Sequence, residues 1–135
     1  MVFGKPDTTA LNLSEVAMGR GGFVIKGIDA FDRSGLSVSG AGDVNGDGLF
    51  DLIIGAKDAD ATGDASGESY VVFGKPDTKA VNLNDVVNGL GGFVINGVDA
   101  YDWSGISVDS AGDVNGDGLD DPIIGAFGVA PFDNY

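Results

Sequence analysis

The 135-residue chain carries 21 acidic residues against 7 basic ones, a net charge of −14, which excludes a nucleic-acid partner and an anionic membrane surface because both demand a basic face. It contains no Cys and no His, so the usual catalytic triads, the commonest zinc sites and a switch at physiological pH are absent. Its 24 Gly, 4 Pro and 43% hydrophobic content describe a globular chain of short strands joined by tight turns.

Taken in order, Met1–Gly4 reads as a short strand and has no apolar signal-peptide core, so a signal, if the parent protein is exported, is not carried here. Asn12–Val16 reads as a single capped helical turn. Gly22–Ile28 follows a Gly-rich turn and reads as a strand. In Gly35–Ala41, small or polar residues alternate with Leu36 and Val38. After the loop Asp43–Asp51 comes a short apolar run, Leu52–Ala56, then an acidic loop with Asp58, Asp60 and Asp64, then the β-branched and aromatic run Ser69–Phe73. The acidic loop could take a further ion, although a solvated loop is the simpler expectation. No apolar run nears the ~20 residues needed to span a bilayer, and no membrane insertion is expected.

The pattern then starts again. Val72–Thr78 restates Val2–Thr8 at an offset of 70, and the same offset carries Gly21–Ile25 onto Gly91–Ile95, Asp43–Leu49 onto Asp113–Leu119 and Ile53–Ala56 onto Ile123–Ala126. Asn82–Val86 repeats the helical turn, and the correspondence ends after Ala126. Four short strands per repeat, separated by Gly/Asp/Asn turns, predict an all-β fold of four-stranded antiparallel β-propeller blades, with a two-sheet sandwich as the competing architecture. The repeat places a stray outer strand of a preceding blade at residues 1–4, a first blade at 5–74, and a second at 75–135 that lacks its last strand. Two blades do not close a ring, so further blades of a longer parent, or other copies of the chain, are the expected neighbours.

The two loops carry the chemistry. Asp43, Asn45, Asp47 and Asp51 stand at positions 1, 3, 5 and 9 of the first, and Asp113, Asn115, Asp117 and Asp121 repeat them in the second. Oxygen donors at alternate positions of a curled backbone suit a hard cation that takes six to eight oxygens, and the carbonyls of Leu49 and Leu119 can join the shell. Gly48 and Gly118 permit the sharp turn. An EF-hand is a poor match, because position 12 is Ile54 or Ile124 instead of Glu and the flanks are strand-like. Ca2+ at two sites is therefore expected, in preference to Mg2+, which rarely uses an all-protein cage.

At these residues the chain resembles the FG-GAP repeat, the blade unit of the integrin alpha-chain propeller. The stretch from Ser34-Gly35-Leu36-Ser37-Val38 through the loop to Asp51-Leu52-Ile53-Ile54-Gly55-Ala56 carries the likeness, and Ser104–Ala126 repeats it. Gly-Glu-Ser-Tyr-Val-Val-Phe-Gly, ending at Gly74, resembles bacterial tandem-repeat surface proteins of this type. The resemblance implies a seven-bladed propeller with calcium in a β-hairpin loop, extracellular or at the cell surface and often adhesive. The chain departs from the family at Ser34 and Ser104 (for Phe), at Lys57 and Phe127 (for Pro), and at Pro122, where the first repeat has Leu52.

Asp29 and Asp32 recur as Asp99 and Asp102 and read as turn caps ahead of acid–base chemistry. Arg33 and Trp103 share a repeat position, and the Trp is expected to pack against a neighbouring blade. Phe23, Phe93, Phe31 and Tyr101 read as core or inter-blade packing. With no nucleophile–base pair in view, the expectation is a non-enzymatic segment contacting a protein or glycan. The alternative is a propeller domain of a larger extracellular hydrolase or lyase.

Overall fold

The computed structural model describes residues 1–128. In chain order these form α1 (Leu13–Ala17), β1 (Ile25–Lys26), β2 (Ser37–Gly42), β3 (Asp51–Ala56), β4 (Glu68–Val72), β5 (Val81–Asn82), α2 (Leu83–Val87), β6 (Gly92–Asn96), β7 (Ser107–Gly112) and β8 (Asp121–Gly125). The fold is all-β, with two single-turn helices. Each helix begins where an Asn meets an acceptor or donor it can satisfy: the Glu15 carboxylate accepts the Asn12 backbone N–H at 3.2 Å, and the Asn82 side chain accepts the Asn84 N–H at 3.0 Å.

One antiparallel sheet of four strands, in the order β2-β3-β4-β6, organises the rest. Its two central strands are apolar on both faces because both faces are covered. Successive residues of a strand point to opposite sides, so Ile54, Tyr70 and Val72 join Leu83 and Val86 of α2 on one face, while Ile53, Val71 and Ala41 gather on the other. Residues of the N-terminal segment, Ile25 and Ile28, close the first cluster, and Val108 and Ile124 of the second repeat close the second.

The second repeat builds the first half of the same sheet again. Val38 opposite Ile54 becomes Val108 opposite Ile124, and the irregularity between Gly40 and Gly42 recurs between Ser110 and Gly112. Pro122 faces Ser110 as Leu52 faces Gly40, so the missing N–H leaves the register of β7 and β8 intact.

The grouping of strands differs from the one read in the sequence. The sheet draws on residues 37–96, where 5–74 was expected, and its outer strand is Gly92–Asn96, the strand that follows α2. Alternation identifies a strand but not the edge it joins, and α2 is short enough to return the chain to the free edge of β4. The N-terminal segment repeats this arrangement. Val2 bridges Gly22 as Val72 pairs with Gly92, and the Phe3 and Phe73 N–H groups bond the Gly21 and Gly91 carbonyls, both at 2.9 Å. Most of Gly22–Ile28 is irregular: only Ile25 and Lys26 form a strand, and they pair in parallel with β5.

Strands β2 and β7, which belong to different sheets, lie side by side. The Ser37 hydroxyl donates to the Gly105 carbonyl at 2.7 Å and the Ser39 hydroxyl to the Asp109 carboxylate at 2.6 Å. A Cβ on Gly55 would overlap the Gly105 carbonyl, which explains glycine there. Since β2 and β7 run together, the loops that follow them emerge next to one another.

Candidate functional site

Each loop winds around its first aspartate. Asp43 Oδ1 accepts the N–H groups of Gly46 at 2.8 Å and Asp47 at 3.1 Å, and Oδ2 accepts that of Gly48 at 2.9 Å. Gly46 and Gly48 lie at φ +77° and +85°, left-handed conformations that let the chain curl this tightly. Asn45 Oδ1 accepts the Asp47 N–H at 3.2 Å, and Asp47 Oδ1 accepts the Leu49 N–H at 2.8 Å. The Asn45 amide donates to Asp47 Oδ2 at 3.2 Å.

The second loop reproduces the winding. Asp113 accepts from Gly116, Asp117 and Gly118 at 2.8, 3.1 and 2.9 Å, Asn115 Oδ1 from Asp117 at 3.2 Å, and Asp117 from Leu119 at 2.9 Å. The bonds that wind each loop are therefore local, made between residues two to five apart in sequence.

Position 9 differs between the copies. Asp51 is fully buried and bridges two segments, accepting the Val44 N–H and the Gly74 N–H, each at 2.7 Å. Asp121 is half-buried and accepts the Val114 N–H at 2.7 Å. Among the described residues no group of three or more acidic side chains is gathered so as to hold a metal ion. The loop carboxylates are instead satisfied by backbone N–H groups.

Asp120, at position 8 of the second loop, was not picked out in the sequence. Its carboxylate accepts the Asp43 N–H at 2.8 Å, and its own N–H donates to the Asp43 carbonyl at 3.0 Å. The corresponding residue of the first loop is Phe50, which is exposed. That substitution within an otherwise repeated loop was the only signal available.

The model of the FG-GAP repeat family matches residues 34–72, from the turn before β2 to the end of β4. This family's β-propeller blade agrees with the all-β sheet around it. No curated protein matches the chain. The FG-GAP segment contains the whole first loop, and Ser104–Gly125 carries its counterpart at the 70-residue offset.

The other acidic residues separate by role. Asp58 is paired with Lys57 at 2.6 Å and Arg33 at 3.1 Å, and Asp60 accepts the Ala65 N–H at 2.7 Å, so they serve ion pairs and turns. The Asp64 carbonyl accepts the Tyr101 N–H at 2.8 Å, tying this loop to the turn between β6 and β7. In that turn Asp102 accepts the Asp99 N–H at 3.0 Å, the expected cap. Phe31, Arg33, Tyr101 and Trp103 all sit at positive φ, between +52° and +76°. Trp103 stacks on Phe127 at 6.4 Å with Lys57 above its ring at 5.4 Å.

Asp29, Asp32, Asp60 and Glu68 line an open cleft of about 410 Å3 beside Asn84 and Val87. Burial raises the Asp32 carboxyl above its ordinary range, and the neighbouring Asp29, Glu68 and Asp60 charges add to the rise against the bond from the Asp29 N–H. A carboxyl raised on folding costs stability when ionised. That cost is full above its folded pKa and vanishes below the unfolded value of about 3.9. Asp32→Asn keeps an acceptor oxygen and should raise the melting midpoint by about 1–2 °C at pH 7, with the gain closing near pH 3. Thermal melts at both pH values check this, and a loss at pH 7 would contradict it.

Proposed function

We propose that the chain is a calcium-braced, non-catalytic propeller segment of an extracellular or cell-surface protein, used for contact with a protein or glycan. One observation carries the reading: an all-oxygen donor set on a glycine-curled loop occurs twice, with nearly the same hydrogen bonds. The donor chemistry fits Ca2+, which takes six to eight oxygens at flexible geometry. A carboxylate offers about four lone-pair sites, so Asp43 keeps one after its three N–H bonds, and Asp47 and Asp51 keep two each.

Asp43, Asn45, Asp47, Asp51 and the Leu49 carbonyl would hold one ion, and Asp113, Asn115, Asp117, Asp121 and the Leu119 carbonyl the other. Binding has to draw these side chains together. The ion would neutralise charges that otherwise repel and fasten the hairpin between β2 and β3, or between β7 and β8. Sites of modest affinity suit the calcium outside cells.

Isothermal titration should find two Ca2+ per chain, falling to one in Asp47→Ala and in Asp117→Ala. A chain that takes up no Ca2+ would overturn the reading. Protein and glycan arrays run beside an esterase and phosphatase panel address the contact role. The acidic cleft is the one feature that favours an enzyme, and turnover lost in Asp29→Ala would replace the binding reading with that of a hydrolase or lyase domain.

A further inference from the structure

We infer that Asp120 is a positioning residue for the first loop: it belongs to the second loop in sequence, yet it holds the backbone of Asp43, the residue around which the first loop winds. The inference rests on the calcium reading of the loops and assigns to Asp120 a role that the liganding pattern does not contain.

The geometry is a two-bond clamp. The Asp120 carboxylate accepts the Asp43 N–H at 2.8 Å while the Asp120 N–H reaches the Asp43 carbonyl at 3.0 Å. Both main-chain polar groups of Asp43 are thereby fixed by one residue. The clamp fits tightly, since a Cβ on Gly42 would collide with the Asp120 side chain, and one on Gly46 would press on the Leu119 side chain at 2.9 Å. A hydrogen bond accepted by a carboxylate is about twice as strong as a neutral one. Asp120 adds its charge beside a cation site without being one of the residues that wrap it. Residues that orient a metal's ligands typically carry ten- to a hundredfold of its affinity.

The first loop is consequently the better prepared of two loops with the same donors. Its position 1 is clamped by Asp120 and its position 9, Asp51, is buried and held from two sides. The first loop should bind Ca2+ more tightly than the second, and Asp120 should account for much of the difference.

The test reads each loop alone by calorimetric Ca2+ titration of the full chain. Asp117→Ala leaves only the first loop and Asp47→Ala only the second. In the Asp117→Ala background, Asp120→Ala should weaken binding about tenfold. In the Asp47→Ala background it should change binding by less than about threefold, because the clamp acts across loops. Asp120→Asn keeps an acceptor oxygen without the charge and should fall between the parent and Asp120→Ala. Circular dichroism melts in chelator establish that each variant folds. First-loop affinity unchanged in Asp120→Ala would overturn the inference while leaving the calcium reading in place. Equal losses in Asp120→Asn and Asp120→Ala would also overturn it, by assigning the effect to charge alone. Absence of Ca2+ binding in the unsubstituted chain would remove both.

Discussion

Saturating Ca2+ is expected to raise the melting midpoint of this chain by about 15 °C relative to chelator. An ion that binds only the folded state stabilises it by about 2.7 kcal/mol at a hundredfold excess over Kd, so two sites contribute about 5 kcal/mol. For a domain of this size each kcal/mol moves the midpoint by about 3 °C. Asp43 and Asp113 already organise their loops through backbone N–H groups, so the metal-free chain should retain its sheets and lose stability. Mg2+ should produce much less of the shift, because it gives up its water reluctantly. A double variant, Asp47→Ala with Asp117→Ala, should melt at one temperature with and without Ca2+. A midpoint that chelator leaves unmoved in the parent chain would remove the metal from the account.

Ile53→Ala should cost about 3 kcal/mol and its repeat counterpart, Ile123→Ala, less than about 1 kcal/mol. The two residues share a sequence context and a strand position but not an environment. Ile53 is fully buried, with Val71 beside it on β4 and Val108 and Ile124 packed over its cluster. Ile123 is exposed, on a strand that pairs only with β7 among the described residues. Urea unfolding monitored by circular dichroism would read the first as a midpoint lowered by about 1.5 M, taking a slope of about 2 kcal/mol per M. Equal losses at the two positions would show that the layers around β3 are not as described.

How far the sequence reached can be judged residue by residue. Strands β2, β3 and β4 lie within a residue or two of the runs 35–41, 52–56 and 69–73, because alternation and β-branched residues act locally. The helical turns were legible from Asn and Glu spacing for the same reason. The partner of β4 was not, since Gly92–Asn96 and Gly22–Ile28 carry the same signal and only the packed chain decides which edge each joins. The loops themselves were visible as a motif. The Gly74 bond that holds Asp51 and the Asp120 clamp on Asp43 were not, because both join segments that are distant in sequence. The difference between Phe50 and Asp120 was on view, but its meaning needed two loops side by side.

The positive φ angles in the turns before β2 and β7 bear on how strain should be interpreted. Strained backbone in an unfamiliar protein invites a search for chemistry nearby. Here Phe31 and Tyr101 share the conformation at +76° and +65°, and Arg33 and Trp103 share it at +56° and +52°, although the side chains within the second pair have nothing in common. Strain that survives such a replacement belongs to the path of the chain into β2 and β7 and is indifferent to what the side chain does. The copies thus act as controls on one another. Whatever recurs at the 70-residue offset is architecture, and individuality is confined to positions such as Arg33 against Trp103 and Phe50 against Asp120, where one unit can be told from the next.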